Sequence, residues 1–179
     1  MSEDRVQRLL AQIRITKDVI EGKDHPSIPR PFVYRCTVGS SVSWDKRKIE
    51  DTLQVVLPDD LIHLWNYAAD VRLHEDVSYG QWGLVIWSPE EVFTKHPYTI
   101  TERREEDIRK GDLIIGELIG DSEFIILRCD PDMDDYGKLL VALLMDPRRD
   151  WPIVALSLAE FLERAMTSVE YKYWSHNRK

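Results

Sequence analysis

The sequence predicts an α+β fold, in which helices at the two ends of the chain enclose a run of antiparallel strands. Two observations carry this. Apolar residues recur at helical spacing near the start and near the end, and the stretches between 113 and 145 are short, apolar and strand-like. Turns of a few residues join those stretches, and connections that short imply antiparallel pairing. Helices first, strands next and a helix last is also not the alternation of a parallel βαβ fold.

Each element has a local cause. Val6, Leu9, Leu10, Ile13, Val19 and Ile20 line one side of an expected helix from Asp4 to Ile20, which Gly22 ends. Pro26, Pro29 and Pro31 then hold the chain extended, because proline restricts both itself and the residue before it. The chain therefore divides into 1–31, a helix with a proline-rich connection, and 32–179, a single domain. Phe32 to Val38 reads as a short strand and Trp44 to Leu53 as a short helix. Leu57 and Pro58 open a stronger helix, with Asp59 and Asp60 where the helix dipole favours acids and Leu61, Leu64, Trp65 and Ala68 on one face. Gly83 to Trp87 is an apolar strand. Behind it, Ser88 and Glu91 have the spacing of a capping box, with Pro89 at the first helical position. Glu102 to Lys110 is dense in both charges and reads as a solvated turn or helix face. Strands follow at Leu113 to Leu118, Glu123 to Cys129 and Leu139 to Met145, with turns at Gly120 and Asp121 and from Asp130 to Gly137. Ile153 to Ala155 and a second capping box, Ser157 with Glu160, lead into a last helix that buries Leu158, Phe161, Leu162 and Ala165.

Composition narrows the class of function. A chain of 179 residues, 43% hydrophobic and 31% charged, is long enough to bury a core without disulfides or a structural metal. Its two cysteines, Cys36 and Cys129, make no CxxC pair and no disulfide framework, so a reducing, cytoplasmic setting is expected. No apolar signal run is present, and the longest apolar stretch, Leu139 to Met145, is far short of the roughly 20 residues a membrane helix needs. The net charge of −8 is uneven: residues 101–135 hold twelve acids against five bases. Direct nucleic-acid binding is not expected of a chain without a basic stripe. Such a field attracts a basic protein partner, or else it serves only solubility.

The chemistry-bearing residues do not assemble into a reaction. No GxSxG, GxGxxG, Walker or HExxH pattern occurs, and the five histidines are scattered. His63 shares a helix with Asp59 and Asp60, but no third group orients it, so an exposed polar face is the reading. Cys36 and Cys129 read as strand core residues. The run from Asp130 to Gly137 superficially resembles a calcium loop, yet the sixth and twelfth positions hold Asp135 and Val141 in place of the glycine and glutamate such a loop requires. The sequence thus implies no catalytic residue, no metal and no cofactor. What remains is binding: Trp82, Asp121, Asp130, Asp132, Asp134 and Asp135 are the candidate partner-binding residues. Trp82 is either an interface anchor or a structural residue, and the aspartates either dock a basic partner or solubilise a hairpin tip.

Leu57 and Pro58 leading Asp59 to Trp65, then Trp82 to Val92, resemble the front of the SUKH superfamily, the Smi/Knr-like proteins. The likeness continues through Ile115, Gly116, Gly120, Asp121, Phe124 to Leu127 and the aspartate-rich turn to Gly137, and ends at Ser157 to Leu162. It spans Ile49 to Met166; Ala68 to Val71 lacks the family's usual glycine, and the first 45 residues exceed the common form. The resemblance implies a central, mostly antiparallel sheet flanked by helices. It also implies a non-catalytic binding function: toxin neutralisation in bacterial members, whose toxins include nucleases and deaminases, or an interaction scaffold as in fungal ones. The partner it implies is a protein, a basic toxin domain, blocked at its active site.

Overall fold

The computed structural model describes residues 2–15, 20–21, 33–100, 105–143, 145–167 and 172–174. The elements run α1 (Ser2–Ile15), β1 (Ile20–Glu21), β2 (Val33–Val38), α2 (Lys46–Leu53), α3 (Asp59–Tyr67), β3 (Val71–Asp76), β4 (Gly83–Ile86), α4 (Pro89–Thr99), β5 (Asp112–Ile119), β6 (Glu123–Arg128), β7 (Leu139–Ala142), β8 (Ile153–Ala155) and α5 (Leu158–Thr167). Short 3-10 turns lie at 105–107 and 148–150. The proline-rich connection expected at 22–31 and the start of the charged run, 102–104, lie outside the described residues.

The eight strands form one sheet in the order of the sequence, and every neighbouring pair is antiparallel. This is the α+β architecture that the helix and strand order predicts. Helices cover it: α1, α3 and α5 contact one another, α1 lies on β2, and α4 packs on β5 with α2 beside it. The strands β4 and β7 are consequently buried at every residue. The apolar stripe of α1, Val6, Leu9, Leu10 and Ile13, is buried on its own domain.

Sequence reasoning overlooked β3. Its Arg72, His74, Glu75 and Asp76 are poor strand formers, and only Val71 and Leu73 carry an apolar alternation. Hydrogen-bonded neighbours on both sides make it a strand despite its composition. On the outer surface Arg72 binds Asp70 and Glu75, and Arg35 of β2 binds Glu75 across the sheet. Conversely, β7 stops at Ala142 rather than Met145, where Asp146 N–H returns to Leu143 O at 3.3 Å to make a turn. Trp174, which the sequence leaves in a polar tail, is buried and stacks on Phe161 with ring centres 6.1 Å apart. The capping box at α4 forms as its spacing implies: Ser88 Oγ accepts from Glu91 N and Glu91 Oε2 accepts from Ser88 N. Among the described residues no helix is long and apolar enough to cross a membrane.

Candidate functional site

The antiparallel meander has two ends, and it divides the residues singled out from the sequence between them. At one end the β3–β4 hairpin carries Trp82, and the β5–β6 turn carries Asp121. The two turns touch, because Gly120 (φ +85°) lies so close to the hairpin that a Cβ there would sit 2.0 Å from Gln81 O. Asp76 shapes the hairpin by accepting from the backbone N–H groups of Ser78 and Tyr79 at 2.8 and 3.1 Å. Val77, Tyr79 and Trp82 are exposed at its tip, while Asp121 is paired with Lys172 at 2.8 Å. The aspartates from Asp130 to Asp135 lie at the other end, beyond β6. The length of β5, about 24 Å at 3.4 Å per residue, separates them from Trp82 and Asp121.

That second end is the more elaborate. Asp45 caps α2 by accepting from Lys48 N at 3.1 Å, and Glu50 Oε1 accepts from Leu57 N at 2.9 Å where the chain turns toward α3. Val56 N–H donates to Cys129 O at 3.0 Å and so ties this corner to the start of the aspartate loop. Gly111 (φ +79°) presses on the same loop, since a Cβ there would lie 2.4 Å from Asp130 Cβ. The outcome is a groove of 390 Å³ lined by Glu50, Asp51, Val56, Lys110, Asp130 and Asp132 among others. A larger groove of 620 Å³, walled by Trp44, Lys48, Ile49, Pro89, Glu90 and Phe93, lies on the other side of α2.

The four loop aspartates differ in role. Asp130 is buried; its Oδ1 accepts from Asp132 N at 3.2 Å, and Lys110 Nζ stands 3.6 Å from its Oδ2. Asp135 binds Arg128 Nε at 2.8 Å. Arg128 is itself buried and reaches Asp112 at 2.6 Å and Lys110 O at 3.0 Å, and Asp112 also binds Arg148. Burial opposes the Arg128 charge, but Asp135 and Asp112 more than offset it, so its pKa is raised. Removing a partner from such a network leaves an uncompensated buried charge, at a cost of about 3–5 kcal/mol. The crowding of carboxylates in this turn is therefore partly structural: Asp130 closes the turn and Asp135 neutralises Arg128. Asp132 and Asp134 are exposed and make no side-chain hydrogen bond or ion pair among the described residues.

Sequence reasoning missed Glu50 and Asp51. They lie some 80 positions before the aspartate loop, and only the fold brings them to it. Burial first, then Cys129, Asp59 and Glu50, raise the pKa of Tyr136 at the back of the loop, a further mark of the negative field here. Val56, Met133 and Tyr136 expose apolar surface beside these carboxylates.

The geometry offers little to chemistry. Burial raises the pKa of both thiols, that of Cys129 far above its ordinary value, so neither is a ready nucleophile. His96 and His74 are buried, and burial lowers the pKa of both. Their ring nitrogens are engaged with backbone, His96 Nδ1 accepting from Ile114 N at 3.1 Å and His74 Nε2 lying 2.7 Å from Ala165 O. No group of three or more His, Cys, Asp or Glu side chains among the described residues is placed to hold a metal ion.

Comparison with curated proteins returned no match. A model of the SMI1 / KNR4 family (SUKH-1) matches residues 44–164. That span begins one residue before the cap of α2 and ends within α5, so it takes in the smaller groove, most of the larger one and all six candidate residues. With two thirds of its length matched and an antiparallel α+β architecture under the match, the chain belongs to the SMI1 / KNR4 (SUKH-1) family.

Proposed function

We propose that this chain is an immunity-type protein that binds a cognate toxin domain and blocks its active site, without itself catalysing a reaction. Family membership is consistent with that class. The observation that carries the finer reading is the groove beside α2. There Asp51 and Asp132 line one groove with half-buried Glu50 and exposed Val56, and Asp134 and Met133 are exposed on the same aspartate loop. A toxin that acts on nucleic acid keeps a basic cleft for phosphate. A rim of carboxylates fits such a cleft as a phosphate surrogate, and the apolar residues beside it supply the desolvated contact that affinity needs. Charge complementarity of this kind speeds association by roughly 10- to 1,000-fold and weakens steeply with salt.

The test is co-expression with candidate toxin domains that act on nucleic acid, scored by growth, followed by stopped-flow association of the purified pair. The informative variant is Asp132→Asn with Asp134→Asn. Asp135 stays, because its loss would strip Arg128 of a partner and confuse binding with folding. We expect the double variant to associate at least about 10-fold more slowly at low salt, with most of that difference gone at high salt. An unchanged rate at both salts would remove the loop from the docking surface.

A further inference from the structure

Apart from its acidic cap Asp45, the helix α2 carries its charges in the order that its dipole disfavours. Its first turn holds Lys46, Arg47 and Lys48 and no acid, where the helix dipole is positive; Glu50 and Asp51 lie toward its other end, which has no base. Every one of these helical charges opposes the dipole. The intrahelical pair Lys46–Glu50, at 3.6 Å, has the lysine first, the weaker order for residues four apart. Gln54 ends the helix at φ +55°, a left-handed position where glycine is the ordinary residue. Ile49 is the one buried residue of the helix. Arg47, Asp51 and Gln54 are exposed at i, i+4 and i+7, and Arg47 and Asp51 form no ion pair among the described residues although their spacing permits one. Several local rules broken on one eight-residue helix, between two grooves, is the pattern of an element kept for binding rather than for stability.

We infer that α2 is the docking helix of this protein and that it fixes the orientation of the partner through a two-signed charge stripe. The inference rests on the toxin reading above and specifies the partner's surface. A basic cluster faces Asp51 and Asp132, and carboxylates facing Lys46 and Arg47 lie about one helical turn away, roughly 6 Å. A cleft that holds phosphate with bases and a metal ion with carboxylates presents both signs. An acidic loop alone fits the bases in many orientations, whereas the two-signed stripe fits in one.

The deciding variant exchanges the two free charges, Arg47→Glu with Asp51→Lys. Net charge is unchanged, so the long-range field of the protein is kept, while the dipole and the i,i+4 order are both corrected. We expect its melting temperature to rise by about 2–5 °C. We also expect its association with the toxin domain that the parent neutralises to slow at least about 10-fold, with loss of growth protection on co-expression. A more stable variant that protects and associates as the parent does would overturn the docking role of α2 and leave the toxin reading standing. A variant no more stable than the parent would overturn the premise that the charges oppose the helix. A parent that fails to protect would overturn the toxin reading and this inference with it.

Discussion

At the scale of single residues, folding displaces His96 in the pH range where stability is readily measured. Its ring is buried, and although Asp112 favours the charged form, burial dominates and lowers the pKa to about 4. Nδ1 accepts the Ile114 amide of β5, which needs the ring nitrogen unprotonated. In the unfolded chain the same ring titrates near its ordinary value of about 6.5. The folded pKa is the lower one, so the stability contributed by neutral His96 is whole above about pH 6.5 and is lost as the pH falls toward 4. His74 is lowered in the same direction, by burial against a smaller opposing effect from Ala165. Urea unfolding at pH 7 and pH 4.5 should show the parent losing on the order of 3 kcal/mol through His96. A His96→Gln variant should lose visibly less over that interval; an equal loss would place the pH dependence elsewhere.

Among the elements, the contact between the β3–β4 hairpin and the β5–β6 turn shows how a single backbone position can place a surface. Gly120 has φ +85°, and an added Cβ would meet Gln81 O at 2.0 Å. A side chain there is strained by conformation and by contact with backbone that cannot rotate away. Gly120→Ala should cost about 2 kcal/mol or more and move the hairpin tip that presents Trp82. Thermal unfolding checks the first part, and a shift in tryptophan fluorescence of the folded variant checks the second. A variant as stable as the parent would show that the hairpin yields easily, leaving Trp82 too loosely held to serve as an anchor. The edge strand β8 is managed differently. Its Val154 carbonyl accepts Tyr173 Oη at 2.8 Å and Arg164 at 3.3 Å, which occupies a group that an added strand would use.

At the scale of the whole molecule, α1 lies outside the matched family region but packs into the same core. Val6, Leu10 and Ile13 are almost completely buried, and α1 touches α3, α5 and β2, so the helix is part of one core. Arg14 adds a hydrogen bond to Gly39 O at 3.1 Å and lies over the Tyr67 ring. Leu10→Ala should therefore cost about 2–5 kcal/mol, as for any large side chain removed from a packed interior. Denaturant unfolding would read it directly. A loss below about 1 kcal/mol would mean that α1 is an appendage rather than a wall of the domain.

The sequence by itself determined much of the local structure: the stripe of α1 as far as Ile13, the capping box of α4, the strands β4, β5, β6 and β8, and the tight turns that force antiparallel pairing; the helix expected to reach Ile20 instead ends at Ile15, and Ile20 pairs with Tyr34 in β1. These depend on neighbours within a few positions, and periodicity or capping chemistry records them. It also marked the aspartate loop as a charged surface. Asp130 is consumed locally, by a turn to the Asp132 amide two residues on, but only the tertiary structure decided that Asp135 is taken up by buried Arg128. It alone turned the polar segment from Val71 to Asp76 into a strand, by flanking it with two others. And it alone set Glu50 and Asp51 beside Asp132, far along the chain, while moving Trp82 and Asp121 to the opposite end of the sheet. Long-range placement follows from the register of the whole meander, and a binding surface is a property of that register rather than of any segment within it.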